Sequence, residues 1–235
     1  MTTIGNNLDA LRLRINAACA AAGRAPQSVR LLAVSKTFGP EDVREALAAG
    51  QQAFGENYLQ EGVAKVQALA GSGIEWHCIG PVQSNKTRLA AEHFDWVHSV
   101  ERLKTAERLS AQRPAGLPPL NICLQVDIDG GANKSGVAPA DLPALAHAVA
   151  ALPQLRLRGL MTIPEPTADA AAQLAVHRRA RALYDALLAE GLALDTLSMG
   201  MSADLEAAIQ AGSTMVRVGT AIFGGRPRPA VNQGF

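Results

Sequence analysis

Eight times along this 235-residue chain, a short apolar or β-branched run gives way to a longer stretch rich in Ala, Leu and Arg with helical spacing. No other feature constrains the fold as much. Runs such as LLAVS (31–35) and NICLQV (121–126) are largely unbroken by charge, as expected of strands buried on both faces. The predicted strands are 30–35, 52–55, 74–79, 95–99, 121–127, 157–161, 195–198 and 215–218. Helices are marked by local chemistry. Pro40, Glu41 and Asp42 open one that Gly50 stops, Pro139 and Asp141 open another that ends before Pro153, and Gly191 closes a long one over 168–190.

Eight strands with helices between them, in a chain of this length, predict a single (β/α)8 TIM barrel, with a doubly wound open sheet as the alternative. Too little sequence follows the eighth strand for a full final helix. A helix instead precedes the first strand, with Leu8, Leu11, Ile15 and Ala18 on one face, and is expected to join the outer ring. Residues 1–235 read as one domain, with a flexible tail over 225–235.

Composition removes several classes of function. With 22 basic and 21 acidic residues the formal charge is +1, so neither a nucleic-acid nor a polybasic membrane footprint is expected. Charges interrupt every apolar stretch before it reaches the roughly 18–20 residues of a membrane span. The first 23 residues show no basic and then apolar leader pattern. Cys19, Cys78 and Cys123 form no CxxC pair, consistent with a reducing, cytoplasmic setting. His77, His93, His98, His147 and His177 lack HxH or HExxH spacing, which argues against a metal site. The run Arg178–Arg181 reads as a solvated helix face, and His77, Cys78 and Cys123 read as core residues.

In such a barrel, chemistry gathers at the carboxyl ends of the strands. Reactive residues do fall there: Lys36, Glu56, Asn57, Gln83, Asn85, Lys86, Asp127, Asp129, the stretch 198–202, Arg217, Gly219 and Thr220. Lysine is scarce, with five against 17 arginines, yet Lys36 directly follows a buried strand. Partial desolvation there favours the free amine that Schiff-base formation needs, although a lysine pointing into solvent fits the position equally well. In SMGMSADLEAAI (198–209), a glycine turn leads into a helix whose first turn holds Ser202, either a simple cap or part of an anion site. Gly219 and Thr220, after the eighth strand, favour the anion site, because loops seven and eight of this barrel class often hold phosphate. Arg217, within an apolar strand, needs an acceptor: a carboxylate such as Glu56 or Asp127, or a ligand.

Seven ordered segments, LLAVSKT, FGENY, WHCIGPVQSNK, KSG, RGLM, SMGMSADLEAAI and STMVRVGTAIFG, together resemble the pyridoxal phosphate homeostasis proteins. These are fold-type III relatives of the amino-terminal barrel of alanine racemase, and the likeness runs from about residue 5 to residue 225. The resemblance implies pyridoxal 5′-phosphate as cofactor, carried as an internal aldimine on Lys36. It implies that Ser202, Gly219 and Thr220 hold the phosphate, with the backbone of Gly200 and Met201 nearby. Arg217 would face the pyridine nitrogen, and Asn57, Ser198 and Met199 would line the ring and its 3′ oxygen. Asn85, Lys86 and Lys134 would lie at the rim. Phe38 departs from relatives that carry a second lysine there, and the tail offers Arg226 and Arg228 where many relatives have lysines. The implied role is a monomeric carrier in intracellular vitamin B6 homeostasis, without robust catalysis, whose partners would be apo-enzymes that receive the cofactor. A small amino-acid racemase is the main alternative and a Schiff-base aldolase the second.

Overall fold

The computed structural model describes residues 2–130 and 135–225 and closes the eight strands into a barrel. The strands are β1 (Arg30–Val34), β2 (Ala53–Glu56), β3 (Glu75–Cys78), β4 (Trp96–Val100), β5 (Leu120–Val126), β6 (Leu155–Thr162), β7 (Thr196–Ser198) and β8 (Met215–Val218). They pair in chain order, all parallel, and the β8–β1 ladder (Leu32 opposite Arg217, Ala33 opposite Val218) closes the ring. All eight predicted strands form. The largest shift is at β6, which starts two residues before its expected limit because Leu155 and Arg156 extend the ladder with β5.

The helices are α1 (Thr3–Ala21), α2 (Pro40–Ala48), α3 (Leu59–Ala68), α4 (Thr87–His93), α5 (Leu103–Gln112), α6 (Leu142–Ala150), α7 (Ala170–Ala189), α8 (Leu205–Gln210) and α9 (Thr220–Phe223). Their starts follow cap chemistry. Thr2 Oγ1 accepts from the Gly5 N–H, Asp42 accepts from Gly39, and Asp169 accepts from Ala171 and Ala172. Among the described residues after β8 the single turn α9 forms, and α1 takes its place in the ring beside α8 and α2. It packs on α2 to one side and on α8 and α9 to the other, burying Leu8, Leu11 and Ile15. One expectation fails here. Ser202 is not in the first turn of α8, which begins at Leu205 with Asp204 as its N-terminal flank, because residues 202–204 make a turn.

Alternation along the strands sorts side chains into two cores. The large one, between strands and helices, includes Phe54, Val97, Leu124, Leu197, Met199 and Val218. Inside the barrel lie two smaller apolar groups, one of Leu32, Val34, Ala53, Ile79 and Met215 and one of Trp96, Cys123 and Met161. Polar residues separate these inner groups, and at the carboxyl end they open into a cavity.

Candidate functional site

The inward positions of the strands, continued by one residue pair, build this cavity. Leu32 and Val34 face inward on β1, so Lys36 emerges inward at the mouth. Asn57 follows Gly55 of β2 in the same way, and Gly219 follows Arg217 of β8. Together with Phe38, Ile79, Ile163, Met201, Ser202 and Thr220 these residues line a space of about 450 Å³. Such a volume suits a small aromatic ligand.

The sequence reading is largely brought together here. Lys36, Asn57, Met201, Ser202, Arg217, Gly219 and Thr220 all line the cavity. Ser198, Met199 and Gly200 do not, and lie buried behind it. Met199 points outward into the helix-facing core, as its position one residue beyond inward Ser198 requires. Ser198 sits a layer below the mouth with its hydroxyl engaged by protein groups. Lys86 borders a neighbouring groove with Tyr58, Gln83 and Asn57, and Asn85 is exposed. Lys134, Arg226 and Arg228 lie outside the described residues.

The lysine strand end is clamped from behind. Thr37 takes a left-handed conformation, φ 70°, and its N–H donates to Glu61 Oε1 at 2.6 Å. On the other side, the Ser35 carbonyl accepts from Lys65 Nζ at 2.7 Å. Lys65 also bonds Glu56 Oε1 (2.8 Å) and Glu61 Oε1 (2.7 Å), which engages all three ammonium donors. Glu56 therefore faces α3 and not the cavity. Burial pushes its carboxyl pKa up, against the pull of Lys65 and Ser35.

Arg217 is 4% exposed, and among the described residues no carboxylate pairs with it. The salt bridge to Glu56 or Asp127 entertained from sequence does not form. Its Nη1 donates to Ser198 O (2.7 Å) and Ser198 Oγ (2.9 Å), and its Nη2 donates to Thr162 O (2.8 Å). Burial lowers its pKa to about 10, so it remains a cation at neutral pH. Two donor hydrogens are left for the cavity that it lines.

In the same cavity, the Ser202 and Thr220 hydroxyls have no partner among the described residues, nor do the backbone N–H groups of Ser202, Ala203, Gly219 and Thr220. Asp204 does not oppose an anion there. Its carboxylate is tied to His177 Nε2 (2.9 Å) and to the Met201 N–H (2.7 Å), which removes that N–H from the free set. Gly219 is required by close approach, since a Cβ there would lie 2.9 Å from the Val34 carbonyl. Asn57 Oδ1 is buried without a hydrogen-bond partner. An orphaned acceptor beside a lined cavity marks a place for a ligand.

The family model described as the alanine racemase N-terminal domain matches residues 6–227. A pyridoxal phosphate homeostasis protein from Pseudomonas aeruginosa is 64% identical over 96% of this chain and 97% of its own length. The chain belongs to the pyridoxal phosphate homeostasis protein family. PipY of Synechococcus elongatus, solved with PLP bound, is 41% identical with a TM-score of 0.82, covering 94% of this chain and 100% of its own. Alanine racemase from Corynebacterium glutamicum, 21% identical, shares the fold with a TM-score of 0.67, over 99% of this chain and 64% of the racemase.

Other residues singled out in the sequence have structural counterparts. Phe38 stacks on Phe223 with ring centroids 5.1 Å apart and forms an apolar part of the cavity rim. The three cysteines are buried free thiols, and desolvation pushes Cys78 up to about 12. Arg179 and Arg181 of the basic run meet Asp129 and Asp185 on the exposed side of α7. Among the described residues, no helix is long and apolar enough to cross a membrane, and no cluster of three or more metal-ligating side chains occurs.

Proposed function

We propose that this chain binds pyridoxal 5′-phosphate and serves to hold and supply it within the vitamin B6 pool, without robust catalysis of its own. The observation that carries the reading is the lining of the cavity. Among the described residues its ionisable side chains are Lys36 and Arg217, and a set of unpartnered hydroxyl and N–H donors shares the same cavity. A phosphate-bearing aromatic aldehyde matches that donor set. Lys36 would hold the aldehyde carbon. Ser202, Gly219 and Thr220, with the Ala203 N–H, would hold the phosphate. Asn57 would meet a polar ring substituent. When bound, the cofactor supplies an electrophilic carbon and an electron-withdrawing ring.

Arg217 can only donate, so a ring nitrogen facing it is kept as an unprotonated acceptor, which weakens the ring as an electron sink. Two-base proton transfer needs a second titratable group on the face opposite the lysine. The two tyrosines do not supply it: Tyr58 is 56% exposed in the neighbouring groove, and Tyr184 is buried on α7 in the helix-facing core. The name of the Pseudomonas aeruginosa relative and the PLP bound to PipY support the same reading.

Incubating the PLP-loaded protein with L- and D-alanine and serine is expected to give racemisation no faster than free pyridoxal phosphate does. Turnover well above that level would show the racemase alternative to be correct. Trapping of a sugar by borohydride would instead support the aldolase.

A further inference from the structure

A row of polar side chains crosses the barrel interior below the cavity, and nothing in the binding site accounts for its length. At the closed end, Arg30 Nη1 bonds Glu75 Oε1 at 2.8 Å. Glu75 Oε1 lies 2.6 Å from His77 Nε2, and His77 Nδ1 lies 2.9 Å from His98 Nε2. His98 Nδ1 lies 3.1 Å from Ser198 Oγ, which lies 2.9 Å from Arg217 Nη1. These residues lie on β1, β3, β4, β7 and β8, and both imidazoles are fully buried.

The two ends fix the direction of the row, because a guanidinium only donates and a carboxylate only accepts. Arg217 gives a hydrogen to Ser198 Oγ, and the Ser198 hydroxyl gives its own to His98 Nδ1. His98 then carries its proton on Nε2 and donates to His77 Nδ1, while His77 carries its proton on Nε2 and donates to Glu75. Each link has one donor and one acceptor. With both neutral tautomers reversed, a His77 Nε2 lone pair would face the carboxylate at 2.6 Å. With an extra proton on His77, His98 would have to reverse, leaving the buried Ser198 hydroxyl hydrogen without an acceptor.

We infer that Glu75, His77, His98 and Ser198 form a one-way hydrogen-bond chain that positions Arg217 and ties its charge to a carboxylate at the far end of the barrel. The chain thereby fixes where a ring must offer its acceptor to the donor-only Arg217. This inference rests on the cavity being the pyridoxal phosphate site. The charged surroundings agree with it. Burial lowers the His77 pKa, with Arg30 acting the same way and Glu75 and Asp95 opposing. Burial also takes His98 well below its usual range, reinforced by His77, Arg217 and Arg30. The bonds from His77 and Arg30 hold Glu75 at about 2, although burial pulls it upward.

Long-range ¹H–¹⁵N NMR of the cofactor-free wild-type protein, from about pH 6 to about pH 8, tests the chain directly. Both buried imidazoles are expected to stay neutral with the proton on Nε2, and a proton on His98 Nδ1 overturns the inference. Titration of two variants with pyridoxal 5′-phosphate tests the positioning role. His98→Asn keeps an amide near the Nδ1 position beside Ser198, whereas His98→Gln keeps one near Nε2 and leaves Ser198 without its acceptor. His98→Asn, which keeps the acceptor for Ser198 but loses the link to His77, is expected about threefold weaker than wild type, and His98→Gln about tenfold weaker with a displaced visible maximum. Equal affinity in two folded variants contradicts the role. The NMR measurement needs no variant, so misfolding of both leaves it decisive. If the wild-type protein takes up no pyridoxal 5′-phosphate, the functional reading falls, while the tautomers still decide whether the chain exists.

Discussion

Lys65→Met is expected to remove about 3–5 kcal/mol of stability, because it strands a buried carboxylate. Lys65 is 3% exposed and Glu56 0%, and Glu56 Oε2 already lacks a hydrogen-bond partner. Taking the ammonium away leaves Glu56 with Ser35 Oγ, at 2.6 Å, as its remaining side-chain donor. For a chain of this size the loss lowers Tm by on the order of 10 °C. Adding Glu56→Leu is expected to recover most of it, since an apolar pair replaces a buried ion pair at little net cost. Urea unfolding of the single and double variants measures both effects. A single-variant loss below about 1 kcal/mol would assign the pair the weight of a surface ion pair. The same cluster holds Ser35 O and Thr37 N, the groups flanking Lys36, so the single variant should also bind cofactor less well.

The second large effect concerns the phosphate. Losing the hydroxyls of Ser202 and Thr220 should cost roughly 1.5–3 kcal/mol each if they donate to a charged group, or about two to four orders of magnitude in the double variant. Pyridoxine 5′-phosphate, which has no aldehyde, isolates this grip from the covalent bond. Residual affinity is expected from the free N–H groups of Ala203, Gly219 and Thr220, which no side-chain truncation removes. Pyridoxal, lacking the phosphate, should bind wild type and variant alike. A similar loss for both ligands would place the phosphate elsewhere.

Much of this was legible in the sequence because it is local. Strand positions follow from short apolar runs, and the placement of Lys36, Asn57, Arg217 and Gly219 at the mouth follows from period-two alternation past a strand end. The larger misses are non-local. Lys65 looks like any helix lysine four residues after Glu61, and its burial depends on α3 packing against β2 and reaching Ser35, 30 residues away. The histidine row joins positions 21 and then 100 residues apart, which no local pattern reveals. A signal did exist: His77 and His98 sit at inward positions of two neighbouring strands, where an unpaired polar group is costly. Ser202 was misplaced as a helix cap because Asp204, two residues on, was the better candidate for that flank. The resemblance places Ser198 and Met199 together beside the ring, but Met199, one residue past inward Ser198, packs in the helix-facing core.

Borohydride reduction of the pyridoxal 5′-phosphate-loaded protein, followed by peptide mass mapping, tests the central claim most directly. Of the five lysines, Lys36, Lys65, Lys86, Lys104 and Lys134, only Lys36 should carry the reduced pyridoxyl group, and Lys36→Ala should carry none. A label on Lys86 or Lys134, or one that persists in Lys36→Ala, would contradict it.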